Sequence, residues 1–314
     1  MAHDTTRALA AIGLPAGAVL VLLLHRRLRR PLSHPVRTTA RFHDSNDFDW
    51  AELAARVEPL VRPPPEALKE GACASVPPPR TDDQIARWQQ HFLKHAEAPT
   101  PFFKERRSLL EEFPRLCAAR LRVLEVGCGN GSSALSVLRG NVGAQVHATD
   151  PSPAAVEQTC EAIGVAGFGA RLTTEVQRLP TVPCSARHGP FDVVMILFTL
   201  SAVPGDDDAA LLVHASELLR PGGAVLVRDY GLYDMRHRKD ARTARLLRAR
   251  PVPEYLRPGG MHRRYYSLEH LGALGASAGL VVEESRYLCV RLRNEKRDLN
   301  MDRVYVHAVL AKPG

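Results

Sequence analysis

The hydrophobic positions follow different periods in different parts of the chain. Ala8 to Leu24 is an apolar run broken only by Gly13, Pro15 and Gly17, and Arg26, Arg27, Arg29 and Arg30 follow it. From Thr81 the spacing becomes helical: Ile85, Trp88, Phe92 and Leu93 fall on one stripe, with Thr81 as the expected N-cap. Phe102, Phe103, Leu109, Leu110 and Phe113 continue an apolar pattern after a Pro-Thr-Pro break. Beyond Leu121, short apolar runs alternate with amphipathic segments. Strands are expected at 123–126, 145–149, 171–176, 191–198, 224–229, 280–284 and 304–310, and helices at 132–138, after Ser152, and at 206–219. Phe191–Phe198 (FDVVMILF) reads as a fully buried parallel strand. The alternation predicts an α/β fold: a Rossmann-like sheet with helices on both faces, an antiparallel edge and an N-terminal helical extension.

The same pattern divides the chain. Residues 1–40 are a targeting or membrane-proximal segment, 41–118 an extension with a proline-rich linker, and 119–314 the α/β domain. The first segment fits a mitochondrial presequence, because it is rich in arginine and has Asp4 as its one acid. It also fits a signal-anchor or an unstructured extension, although its apolar run is slightly short of the roughly 20 residues a membrane span needs. A mitochondrial location is expected, with a cytoplasmic one as the alternative.

The formal charge of +8 points toward an anionic partner. The six cysteines are scattered, without CxxC or Cys/His ligand spacing, so no metal site is expected.

The chemistry concentrates after the first strand of the domain. Leu124–Gly131 (LEVGCGNG) places glycine at 127, 129 and 131 between a strand and a helix start. This geometry lets a ligand approach the backbone and meet unpaired N–H groups. The spacing is neither the GxGxxG of dinucleotide enzymes nor a lysine-bearing phosphate loop. It suits an adenosine-like ligand with an amino-acid tail, the pattern of the S-adenosylmethionine-dependent methyltransferases. Asp150 ends the second strand 23 residues after Gly127, where a carboxylate can accept from ribose hydroxyls. Glu125 is either a partner for a cationic amino group or an ordinary strand-end carboxylate. Leu197 is either an adenine-packing residue or simple core. Arg228, Asp229 and Tyr230 end a later strand, on the side where open α/β sheets bind ligands. An Arg–Asp pair shaping the loop is the competing reading.

Basic residues cluster with aromatics in several places: Lys104, Arg106 and Arg107; Arg238, Arg242 and Arg245 on one expected helix face; Arg264 beside Tyr265 and Tyr266; and Arg293 and Arg303 near the end. Several such clusters on one side of a sheet fit a phosphate backbone with unstacked bases. One cluster alone is ordinarily a solvated face.

The sequence resembles the tRNA N3-methylcytidine methyltransferases. The matching segments are WQQHF from Trp88, FFKERR from Phe102, EEFP from Glu111, LEVGCGNG from Leu124 and ATDPSPAAV from Ala148. They continue with ILFTLSAV from Ile196, LRPGGAVLVRDYGLYDM from Leu219, RYYS from Arg264 and LRNEKRDLNMDRVYV from Leu292. The resemblance implies a class I methyltransferase fold and S-adenosylmethionine as cofactor. It also implies a tRNA anticodon-arm substrate and, as a further partner, an aminoacyl-tRNA synthetase. Family cofactor contacts map onto Trp88, Phe92, Gly127 and Asp150. The family's usual tyrosine is Phe92 here. Its third-strand acid is not evident in LTTEVQ, where Glu175 is the nearest candidate. The resemblance and the strand-end position together make Asp229 and Arg228 the expected catalytic residues. A small-molecule or protein methyltransferase, and an adaptor with a decayed cofactor site, are the competing readings.

Overall fold

A computed structural model describes residues 46–63, 79–96, 103–177, 188–294 and 298–314. The N-terminal apolar segment, the prolines between 64 and 78, and Lys296 and Arg297 lie outside the described residues.

The expected alternation folds into one seven-stranded sheet. In chain order its strands are β1 (Leu121–Val126), β2 (Ala144–Asp150), β3 (Leu172–Val176), β4 (Phe191–Leu197) and β5 (Leu219–Tyr230), then, after a separate small sheet, β9 (Val281–Asn294) and β10 (Leu299–Ala311). Their spatial order is β3-β2-β1-β4-β5-β10-β9, parallel from β3 to β5, with β10 antiparallel to both neighbours. Strand order reverses at β1, so the glycine turn at its carboxyl end sits at the topological switch point, where ligands of such sheets bind.

Both faces are covered. Leu124, Val194, Ile196 and Val225 pack under α6 (Asp207–Leu218) and α8 (Leu268–Ser277). On the other face Val123, Val146, Met195 and Leu226 pack with α3 (Leu109–Glu112), α4 (Ser132–Gly140) and α5 (Pro153–Val165). Each such aliphatic side chain contributes about 1.5–3 kcal/mol when fully buried. Ser152 caps α5 as expected, accepting from Ala155 N.

Helix α1 (Trp50–Val61) begins at Asp49, whose carboxylate accepts from Glu52 N. It buries Leu53, Val57 and Val61 against Cys289 and Val304 of the β9–β10 pair, and Trp50 stacks on Tyr287 at 4.3 Å. Helix α2 (Thr81–His95) lies over α5, where Phe92 packs on Ala154 and Ala155. Gln89 Oε1 accepts from Ser152 Oγ and Ala154 N. Thr81 is not the N-cap: Arg80 precedes the helix, and the Thr81 hydroxyl donates to Asp207 at 2.8 Å.

Between β5 and α8 the chain forms α7 (Met235–Thr243) and a three-stranded antiparallel sheet, β6 (Arg245–Arg248), β7 (Glu254–Leu256) and β8 (His262–Arg264). This corrects the expected shared face of Arg238, Arg242 and Arg245: the helix ends at Thr243, and Arg245 opens a strand. Among the described residues, no helix is long and apolar enough to cross a membrane.

Candidate functional site

A cavity of about 170 Å³ opens at the carboxyl end of β1, between the glycine turn, α2 and the small sheet. Gly127, Gly129 and Gly131 all have positive φ, between 56° and 76°. At Gly127 a Cβ would stand 2.4 Å from Thr199 Oγ1, so no larger residue fits that turn. Thr149 O anchors the turn by accepting from Gly127 N and Cys128 N.

Two buried carboxyl groups face this cavity. Asp150 Oδ2 accepts from Gly129 N at 3.0 Å, and Oδ1 accepts from Ser152 N at 2.9 Å. Burial pushes its pKa up to about 6 against the pull of these two bonds. Asp150 therefore fixes the turn as well as facing the ligand space. Glu125 is deeper, and burial pushes it up to about 8, with the Ser133 hydroxyl and Ala134 N–H pulling the other way. Its Oε2 is buried without a hydrogen-bond partner. A buried acceptor left unsatisfied costs about 1–3 kcal/mol, which a ligand ammonium would remove.

The walls are aromatic. Trp88, Phe92 and Phe103 line one side, and Leu197 and Phe198 the other. Phe198 has left-handed backbone, with φ of 59°, sparsely populated for a bulky residue. Toward the small sheet, Phe198 and Tyr230 meet edge to face at 5.3 Å. Arg106 lies 4.4 Å from the Phe198 ring centroid and Arg263 lies 4.9 Å from that of Tyr230. Burial, then the neighbouring Arg228, lowers the Arg106 pKa.

The structure thus brings Trp88, Phe92, Glu125, Gly127, Gly129, Asp150, Leu197 and the strand-end Tyr230 to one cavity, and adds Phe103, Phe198 and Arg263. Phe198 stood inside the ILFTLSAV segment, but its backbone strain had no signal in the sequence.

Other expected site residues lie elsewhere. Glu175 is outside the cavity; its carboxylate stands 3.4 Å from His147 Nε2 on β2. Asp229 is fully buried and does not line the cavity; its two oxygens accept from Ser201 N and Tyr230 N and set the Ser201 loop. Arg228 does not line the cavity and is not paired with Asp229: it bonds Glu112 and lies 4.7 Å from the Tyr305 ring centroid. These two neighbours on one strand necessarily point to opposite faces.

The basic candidates also divide. Lys104, Arg107, Arg242, Arg245 and Arg293 are exposed, and Arg293 pairs with Asp298 at 2.8 Å. Arg106 turns inward to the cavity. Arg264 is buried between Asp208 and Glu254. Arg303 is mostly buried against Asp234 at 2.8 Å. The last two are not RNA contacts, because a buried cation is retained by its partners and cannot reach a phosphate.

The strand order, the glycine turn at the switch point and the carboxyl-lined cavity define a class I methyltransferase, a class whose cofactor is S-adenosylmethionine. The residues fit that cofactor: the unpartnered Glu125 oxygen complements an amino group, Asp150 faces the turn, and aromatic walls suit adenine. The sequence profile of the methyltransferase domain family matches residues 92–285. The chain is 34% identical over 212 residues to the tRNA N(3)-cytidine methyltransferase METTL2B of Homo sapiens, covering 65% of this chain and 53% of that protein. It is 30% identical over 230 residues to the human tRNA N(3)-cytidine methyltransferase METTL6, covering 68% and 76%. O-methyltransferase 3 of Dictyostelium discoideum is also 30% identical, over 201 residues, covering 62% of this chain and 44% of that protein. The chain therefore spans about half the length of METTL2B and of the Dictyostelium protein. Among solved structures, the CcbJ methyltransferase of Streptomyces caelestis shares the fold, with a TM-score of 0.52, 19% identity and coverage of 73% of this chain and 99% of that one. The chain belongs to the tRNA N3-cytidine methyltransferase family.

Proposed function

We propose that this protein methylates N3 of a cytidine in the anticodon arm of tRNA. The observation that carries the reading is the two-ended cavity, with a buried unpartnered carboxyl group at the glycine turn and an aromatic, cationic mouth formed by Phe198, Tyr230, Arg106 and Arg263. Its family relatives METTL2B and METTL6 support the same reading by name.

S-adenosylmethionine, when bound, supplies an activated sulfonium methyl. Glu125 would hold its amino group, Asp150 its ribose, and Trp88, Phe92 and Leu197 its apolar parts. Cytosine N3 carries a lone pair and no proton at neutral pH, so the protein needs no general base. Its task is to extrude the base, align N3 and exclude water. Positioning of this kind supplies about 7–11 kcal/mol in favourable cases. Phe198 and Tyr230 offer faces for an unstacked base, and unstacking costs a few kcal/mol. Exposed Lys104, Arg107, Arg242, Arg245 and Arg293 would meet the phosphates. The Arg-rich N-terminal segment supports a mitochondrial location, and an aminoacyl-tRNA synthetase remains the expected accessory partner.

The test is mass spectrometry of nuclease-digested tRNA after incubation with the purified protein and S-adenosylmethionine. N3-methylcytidine is expected. Its absence with cofactor binding intact would overturn the reading and favour a small-molecule or protein acceptor; the chain's similarity to an O-methyltransferase keeps a different acceptor atom open to the same test.

A further inference from the structure

A second cluster of ligating side chains lies apart from the methyl-transfer cavity. His147 on β2, Glu175 on β3 and His188, just before β4, each place one donor atom within 4.8 Å of the others. His147 is 3% exposed, and its Nε2 is buried without a hydrogen-bond partner, as is Glu175 Oε2. These two atoms face each other at 3.4 Å. On the other side of the ring, His147 Nδ1 sits 2.8 Å from Thr173 Oγ1. In the tautomer that donates Nδ1–H to Thr173, Nε2 carries the lone pair, the arrangement by which a hydrogen bond orients a metal-ligating histidine; in the metal-free protein the other tautomer donates Nε2–H toward Glu175. His188 is tethered as well: Arg122 Nη2 donates to its carbonyl at 2.7 Å. Arg171, the other cation lining this second cavity, donates to the carbonyls of Leu138, Asn141 and Ala144.

We propose that His147, Glu175 and His188 bind a divalent transition-metal ion of the zinc type. Two imidazoles and one carboxylate are a borderline donor set that suits Zn2+ or Co2+ and not Mg2+ or Ca2+, which take oxygen ligands. A zinc ion at 2.0–2.2 Å from each ligand holds the donors about 3.3–3.6 Å apart; the His188 ring, stacked on His147 at 4.2 Å and 13°, must rotate out of that stack to aim its lone pair at the shared ion. Three protein ligands leave one position for water. The ion would tie edge strand β3 to β2 and to the start of β4. The sequence reading, built on cysteine and short His spacing, expected no metal. Here the ligands are 28 and 13 residues apart, and only strand pairing brings them together.

The test uses the full chain, titrated with Zn2+ alone by calorimetry and with Co2+ by visible absorption. The expected result is one ion per chain, tetrahedral Co2+ bands without a thiolate charge-transfer band, and a Tm raised by Zn2+ but not Mg2+. His188→Ala and the near-isosteric Glu175→Gln should each weaken binding at least 10-fold, whereas Cys160→Ser and Cys117→Ser should not. S-adenosylmethionine binding, which uses the other cavity, reports that each variant is folded. Equal Zn2+ affinity in wild type and folded Glu175→Gln and His188→Ala proteins, or a thiolate band, would overturn the proposal.

Discussion

The guanidinium carbon of Arg106 stands 4.4 Å from the centre of the Phe198 ring, at the mouth of the cofactor cavity. Arg228 lies 5.9 Å from the same centroid, and Tyr230 and Tyr305 meet the ring edge to face, so cations and aromatics together position this residue as a stacking platform. Stacking a base on such a ring contributes about 1–3 kcal/mol. Phe198→Ala is therefore expected to lower kcat/KM for tRNA about 5- to 150-fold while changing the S-adenosylmethionine Kd by less than about threefold. Steady-state kinetics with both substrates varied separate the two effects.

Glu125 gives a pH signature. Burial raises it to about 8, so below that pH the free protein carries it protonated, whereas an ammonium ligand favours the carboxylate. Cofactor binding should release a proton below about pH 8, and Kd should fall with rising pH until it levels near 8. Glu125→Gln should bind more weakly and lose this dependence over the same range. Calorimetry in two buffers of different ionisation enthalpy measures the proton release. An unchanged profile in the variant would refute the role.

The same shift has a consequence for stability, with the opposite sign to an ordinary ion-paired carboxylate. Between the ordinary carboxyl pKa of 4.5 and about 8 the folded chain holds a proton that the unfolded chain has lost. This group's contribution therefore declines as pH rises through that window, and the full cost is present above about 8. Glu125→Gln should raise the cofactor-free Tm at pH 8.5 more than at pH 5. Thermal scans at both values check it.

Asp229 separates a structural from a catalytic role. Its oxygens accept from Ser201 N and Tyr230 N, and Asn at that place must turn its amide toward one of those donors. Asp229→Asn is expected to destabilise the fold by about 1–3 kcal/mol. Denaturant melts should show the loss. A large fall in kcat with unchanged stability would restore the catalytic role that the strand-end position suggested.

The exposed and buried arginines predict opposite phenotypes. Arg242→Glu and Arg245→Glu should leave the fold intact, weaken tRNA binding, and reduce the slope of log K against log salt by about one for each lost phosphate contact. Arg264→Glu should instead prevent folding, because it places a third carboxylate beside Asp208 and Glu254. Binding isotherms at several salt concentrations, with circular dichroism as the control, distinguish the two.

The sequence by itself determined the strand–glycine turn–helix unit, Asp150 at the end of β2, the Ser152 cap and the alternation that builds the sheet. These features arise from short-range spacing: period-2 and period-3.6 burial, φ above zero at glycine, and capping within one turn. Tertiary structure decided which charges are available. Arg264 looked like a surface cation beside two tyrosines, but its partner Asp208 is 56 residues away and Glu254 ten. Arg228 and Asp229 looked like a pair at the substrate edge, but the strand sends them to opposite faces, one to Glu112 and one to the Ser201 backbone. Glu175 was matched to the cofactor by position, and packing turned it to His147. Arg106, expected among the phosphate-facing basic residues, turned inward to the cavity. A charged side chain leaves its type in the sequence but not its partner, because the pairing is settled by which strands and helices the fold sets side by side.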